Sequence, residues 1–180
     1  MIDSFKIENL IHSCDEAFIT AHKNLDLDAL GSILAMYYVS NNLGKNAHII
    51  LDEEELNSEV KRAIASIKKV DNIIPEKYED IENKITDKSL LIVTDTSKKC
   101  RVQNEKLLNI NNKIVIDHHV ESDDIIDNLS TTILDLISCT ILIKVLQITT
   151  PKNSKFLYDP TKNINKYIIP KNRIYKTEFS

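Results

Sequence analysis

The chain has 180 residues, 42% of them hydrophobic and 28% charged, with a formal net charge of −4 at pH 7. That is one domain's length with enough apolar residues to build a core. The mild acidity argues against a nonspecific nucleic-acid binder, and no apolar run reaches the roughly 18 residues of a membrane span. The opening Met1-Ile2-Asp3-Ser4 is not a secretory leader, and Cys14, Cys100 and Cys139 are too few and too far apart for a disulfide framework. A cytoplasmic protein with reduced cysteines is therefore expected.

Taken in chain order, Ala17-Phe18-Ile19-Thr20 is an apolar run suited to a buried strand. From 28 to 42, Leu30, Ile33, Leu34, Tyr37 and Tyr38 recur at helical spacing, and Gly44 supplies the positive φ that stops the helix. Ala47-His48-Ile49-Ile50-Leu51 is a second strand. Asn57 or Ser58 caps a helix reaching about 69, with Val60, Ile64 and Ile67 on its inner face. Asn72-Ile73-Ile74 is expected as a third short strand ended by Pro75, and 76–84 as a weak helix. Leu90-Leu91-Ile92-Val93 is continuously apolar, as in a strand covered on both faces. A helix over 102–108 and a strand at Lys113-Ile114-Val115-Ile116 follow. Such alternation predicts an α/β fold: a doubly wound, mostly parallel sheet flanked by helices. In that architecture the functional residues sit at the carboxyl ends of the strands.

Three predicted strand ends carry ionisable residues: His22, Asp26 and Asp28 after the first, Asp95 after the Leu90 strand, and Asp117-His118-His119 after the Lys113 strand. Asp26 or Asp28 alone reads equally well as a helix N-cap, Asp95 as turn chemistry, and a His-His pair as solvated surface. Together, four carboxylates and three histidines at one sheet edge exceed what capping requires. Carboxylates and imidazoles without paired thiolates suit Mn²⁺ or Mg²⁺ rather than a structural zinc. Several carboxylates also allow a two-ion site for metal-assisted phosphoryl chemistry.

The string His22-x-x-x-Asp26-x-Asp28-Ala29, then Asp95, then Asp117-His118-His119 resembles the DHH phosphoesterase superfamily. Ala21-His22-Lys23-Asn24-Leu25-Asp26-Leu27-Asp28-Ala29-Leu30-Gly31, Ile50-Leu51-Asp52-Glu53, Val93-Thr94-Asp95-Thr96 and Ser138-Cys139-Thr140 resemble its GdpP-type cyclic-di-AMP phosphodiesterase branch. The resemblance implies His22, Asp26, Asp28, Asp95 and His118 as metal ligands for two Mn²⁺ ions, with Asp95 and Asp28 shared. It implies His119 facing the substrate phosphate, Asp117 orienting the histidines, and Gly31 allowing close backbone approach. The implied reaction is hydrolysis of a cyclic dinucleotide by metal-activated water. The implied partner is a small nucleotide, a cyclic dinucleotide or short oligonucleotide, with no duplex binding and no membrane segment; oligomerisation stays open.

The pattern departs from the family downstream. A further metal-binding Asp expected there is missing from Ile168-Ile169-Pro170-Lys171-Asn172-Arg173, and the family's substrate-binding second domain has no counterpart. The expected organisation is a DHH domain over 1–148 and an atypical tail over 149–180, from a short variant or, the favoured reading, an interrupted gene. Truncation is expected to weaken the second metal site. Two other readings compete: a nanoRNase or phosphoadenosine-phosphate phosphatase-type hydrolase, kept open by Gly31-Ser32, and a non-catalytic nucleotide-binding remnant. Lys98-Lys99-Cys100-Arg101 reads either as a phosphate-attracting cluster or as a solvated turn. Asp52-Glu53-Glu54-Glu55 reads as a solvated helix approach.

Overall fold

The computed structural model describes residues 4–117, 119, 124–127 and 131–134. Five strands, β1 (Glu16–Thr20), β2 (Asn46–Ile49), β3 (Leu90–Thr94), β4 (Asn112–Asp117) and β5 (Thr131–Leu134), form one sheet in the order β2-β1-β3-β4-β5. Every neighbouring pair is parallel. The chain winds outward from β1 to β2, returns to the other side of β1 for β3, and continues through β4 to β5. The order reverses between β1 and β3, and their carboxyl ends diverge there into a crevice.

The period-2 alternation of strand side chains sorts the apolar residues into two layers. Ile19, Ile49, Ile92 and Ile114 join the core beneath α1 (Ser4–Ser13), α2 (Leu27–Asn42) and α3 (Ser58–Asp71). Phe18, Leu91, Val93 and Val115 face the other way, toward α4 (Tyr78–Ile81), Leu107 and Ile110. Burying each such side chain contributes about 1.5–3 kcal/mol against the entropy of ordering the chain. The parallel, two-layered α/β architecture expected from the sequence is the one observed. No helix among the described residues is long and apolar enough to cross a membrane.

Local chemistry sets the helix limits. The Asp26 carboxylate accepts from the amides of Asp28 and Ala29 at the start of α2, and Gly44 takes φ +76° just past its end. Asn57 caps α3 by accepting from Glu59 and Val60, and left-handed Asn72 closes it.

Two local expectations are corrected, and two elements were not anticipated. Residues 72–74 form no strand: Asn72 is the αL cap of α3, and pairing with the sheet occurs beyond Pro75, where Glu76 bridges Ile50. The helix expected over 102–108 is replaced by two 3₁₀ turns, Lys99–Arg101 and Glu105–Asn109. Between them Val102 bridges His22 and the Gln103 amide donates to the Ala21 carbonyl, which holds this stretch extended. α1 and β5 were not anticipated, although Ile7, Ile11 and Cys14 bury one face at near-helical spacing. A Cβ built on Gly31 meets no atom within 4 Å among the described residues.

Candidate metal centre

The segment after β1 carries His22, which is only 4% exposed. The antiparallel bridge to Val102 and a 2.6 Å bond from the Lys23 amide to the Arg101 carbonyl hold its backbone. Its Nδ1 lies 2.6 Å from the Lys23 carbonyl, which only a protonated nitrogen satisfies. In the neutral ring that bond leaves Nε2 unprotonated, a tautomer set by the partner of the other ring atom, so Nε2 is the nitrogen that could ligate a metal. Nε2 lies 3.4 Å from Asp95 Oδ2 and 4.0 Å from Asp26 Oδ2. Hydrogen bonding to Asp95 pushes the His22 pKa above its ordinary value, against the opposing effect of burial.

Asp26 resolves the choice between cap and ligand by doing the work of the first and being placed for the second. Oδ1 caps α2, while Oδ2 faces His22. The Asn57 side-chain amide donates to the Leu25 carbonyl at 3.1 Å and so anchors the loop between them. Asn24 in the same loop takes φ +57°, a conformation asparagine tolerates better than most residues.

Asp95 follows β3 at φ +60°, and its amide extends the ladder to β4 by bonding the Ile116 carbonyl at 2.8 Å. Only 6% exposed, it divides its carboxylate. Oδ2 faces His22, and Oδ1 lies 3.8 Å from His119 Nδ1. Asp117, the last residue of β4 and 2% exposed, accepts from both the His119 amide and ring Nδ1, at 3.1 and 2.7 Å. Burial works to raise the Asp117 carboxyl, but the bonds from His119 and Ser97 outweigh it and hold the group below its ordinary value.

The structure thus brings five of the seven residues expected from the sequence into two sets, His22–Asp26–Asp95 and Asp95–Asp117–His119, each with its donor atoms within 4.8 Å of one another. Asp95 belongs to both. Asp28 is exposed in the first turn of α2 and joins neither set. His118 and Ser138-Cys139-Thr140 lie outside the described residues, as does the expected boundary at 148. Two buried carboxylates and an imidazole nitrogen held ready for coordination, with no thiolate in either set, fit a hard or borderline divalent cation. Of the basic run, Lys99 pairs with Asp127, and the Cys100 backbone binds Asp124 and Lys23. That pairing suits a structural turn.

The N-terminal domain of the DHH family matches residues 16–170 of this sequence. The chain belongs to the DHH family. This DHH match runs beyond 148, where the sequence alone suggested a boundary. The cyclic-di-AMP phosphodiesterase PdeA of Listeria monocytogenes is 32% identical over 124 residues, covering 67% of this chain and 19% of that protein. The cyclic-di-AMP phosphodiesterase GdpP of Bacillus subtilis is 31% identical over 129 residues, covering 68% and 19%. The chain thus spans about a fifth of the length of these relatives. Among solved structures, an exopolyphosphatase-related protein from Bacteroides fragilis superposes with a TM-score of 0.59 at 18% identity, over 79% of this chain and 42% of the other, a likeness of fold. Over residues 16–170 the chain is thus a DHH-family domain, similar in sequence to part of two cyclic-di-AMP phosphodiesterases.

The sequence did not single out Gln103. Its side chain is buried next to the His22 segment, and neither amide atom has a hydrogen-bond partner. Nothing in its sequence context distinguishes it; only the pairing of 101–103 with 21–23 brings it to the site.

Proposed function

We propose that the chain is a divalent-metal phosphodiesterase acting on a small cyclic dinucleotide of the cyclic-di-AMP kind, in the cytoplasm. The observation that carries this reading is the divided carboxylate of Asp95, one oxygen toward His22 and the other toward His119. In this reading His22, Asp26, Asp28, Asp95 and His118 hold two metal ions, for which Mn²⁺ is the proposed species, with Asp95 shared. When bound, the metal polarises the phosphoryl oxygens and makes water a competent nucleophile at neutral pH.

The chain's own groups prepare that site. The Lys23 carbonyl fixes the His22 tautomer so that Nε2 stays unprotonated for coordination. Asp117 holds His119 through Nδ1, and in this reading the half-exposed His119 faces the substrate phosphate. The names of the two curated relatives, taken with the site geometry, favour a cyclic dinucleotide over a short oligonucleotide.

The test is an assay of the purified chain with Mn²⁺ against cyclic-di-AMP, linear pApA and a short RNA. Opening of cyclic-di-AMP, lost in Asp95→Asn, is the expected result. Preference for pApA or RNA transfers the chain to the nanoRNase-type reading. No turnover of any substrate by chain that is folded by circular dichroism leaves a nucleotide-binding remnant.

A further inference from the structure

The set Asp95–Asp117–His119 is carried by two loops. Asp95 follows β3, whereas Asp117 ends β4 and His119 comes after it. Asp95 and Asp117 are 6% and 2% exposed, and their donor oxygens come within 4.8 Å of each other. Two carboxylates that close repel each other when no cation lies between them. Asp117 takes two bonds from His119, but both come from its own loop. They tie the carboxylate to His119 and not to the β3 side of the crevice. A third bond does that: it comes from the hydroxyl of Ser97, two residues after Asp95.

Ser97 is buried, and a serine hydroxyl has one proton to give. Facing an ionised carboxylate, which only accepts, that proton goes to Asp117. A bond of this charge-assisted kind is among the stronger ones. The Ser97 backbone is held independently of its hydroxyl. Its carbonyl accepts from the Ile126 amide at 2.9 Å, Lys98 bridges Ile125, and the Lys99 amide donates to the Asp124 carbonyl at 3.0 Å. Ile126 is buried in the apolar layer that includes Val93, Val102 and Val115. The neighbouring hydroxyl of Thr96 is used locally, accepting from the Lys98 amide. The turn after Asp95 is thus pinned by main-chain bonds, and the Ser97 hydroxyl is left with one task. The terminal torsion of a carboxylate is soft, so without that donor Asp117 turns together with the half-exposed ring of His119.

We infer that Ser97 is a positioning residue of this centre, whose hydroxyl locks the Asp117 carboxylate to the Asp95 loop and thereby fixes the ring of His119. Its effect on turnover rests on the proposed phosphoryl chemistry; the clamp itself is a property of the metal-free chain. In that chain Asp117 accepts from His119 Nδ1, so the neutral ring carries its proton on that nitrogen. Loss of the Ser97 donor loosens the carboxylate, and the ring then samples both tautomers.

Imidazole nitrogen NMR of the full metal-free chain reads that tautomer, at a pH where the ring is neutral and with His119→Gln identifying its signals. The wild-type ring should be protonated at Nδ1 alone, and Ser97→Ala and Ser97→Cys should show it averaged between the two tautomers. Alanine removes the donor and cysteine leaves a weak one, so either folded variant suffices. Turnover of bis(p-nitrophenyl) phosphate with Mn²⁺ supplies the second readout. In Ser97→Ala kcat should fall about tenfold, with no further fall when Ser97→Ala is added to His119→Gln. The same ring state in the wild type and in the folded Ser97 variants, or a tenfold loss that persists in the His119→Gln background, would overturn the inference. A change of tautomer without turnover by the wild type removes the hydrolase and keeps the role of Ser97. Turnover with an unchanged tautomer does the reverse.

Discussion

Two histidine–carboxylate clusters sit on this sheet, and they are built to opposite ends. At the β2 edge, His48 places Nε2 on Glu16 and Nδ1 on Glu76, stacks on Phe18 at 5.3 Å, and Lys84 takes the second Glu76 oxygen at 2.8 Å. Two carboxylates there meet one imidazole and one ammonium, and every ring nitrogen is occupied. At the crevice between β1 and β3, three carboxylates meet two imidazoles, and His22 gives one nitrogen to a backbone carbonyl so that the other faces only anions. The first cluster is complete within the protein. The second sets His22 Nε2 among carboxylates, the arrangement proposed above to hold a cation. A list of residue types does not separate them; the partner of each ring nitrogen does.

Four substitutions or titrations break or sharpen that contrast. The largest effect is expected at Asp95. Asp95→Asn keeps the shape and tolerates the left-handed backbone, yet removes the charge that both sets share. Mn²⁺ affinity by calorimetry should fall by more than the roughly 10–100-fold that loss of an outer hydrogen-bond partner costs, and activity should be lost. Above the raised His22 pKa, where the imidazole is neutral, the metal-free chain should melt no lower than wild type, because a crowded buried carboxylate has been neutralised.

The mirror result is expected at the closed cluster. His48→Ala removes the partner that Glu16 and Glu76 share and should cost about 2 kcal/mol in urea unfolding, with Mn²⁺ affinity unchanged. A change in Mn²⁺ affinity comparable to that in Asp95→Asn would dissolve the distinction between the clusters.

Smaller still is the split expected at Asp26. Asp26→Ala should lose both metal affinity and about 1 kcal/mol of stability. Asp26→Ser restores the cap but not the ligand, so only the stability should return.

The pH dependence of the metal-free chain gives the finest distinction. Burial works to raise the Glu76 carboxyl, but Lys84 and His48 outweigh it, so the group lies below its ordinary 4.5 in the folded state. Its contribution is present above 4.5 and is lost as pH falls through the depressed value. His22 is raised above its ordinary 6.5, chiefly by Asp95; its contribution is complete below 6.5 and is lost as pH rises through the raised value. Thermal melts should therefore show an acid limb weakened in Glu76→Gln, with Asp117 supplying the remainder, and an alkaline limb weakened in Asp95→Asn. Mn²⁺ should abolish the alkaline limb by taking the place of the His22 proton.

Much of this was legible in the sequence because buried parallel strands read as unbroken apolar runs and because helix ends announce themselves. Leu90-Leu91-Ile92-Val93 needed no context, and Asn57 and Gly44 bounded their helices as expected. The stretch 102–108 misled because Glu105, Lys106, Leu107 and Leu108 are good helix formers, whereas the deciding force is long-range: the Gln103 amide is taken by Ala21, far away in sequence. The 72–74 stretch misled because apolar character alone does not place the ladder; Ile73 is buried but Ile74 is 60% exposed, and the bridge falls on Glu76. At the site, the residue types and their convergence at the strand ends were readable. The division of labour between the two oxygens of Asp26 was not, since spacing constrains which residue caps a helix but not where its second oxygen points.

That division has a consequence for ion choice. Asp26 commits Oδ1 to two backbone amides, and Asp117 commits Oδ1 to the amide and ring of His119. Each can therefore approach an ion with one oxygen only. Calcium draws on six to eight oxygens and favours carboxylates that bind through both; here those second oxygens are already engaged in holding the fold. In the proposed metal site the helix cap and the histidine clamp would thereby limit denticity, and discrimination against large cations would come from the secondary structure itself.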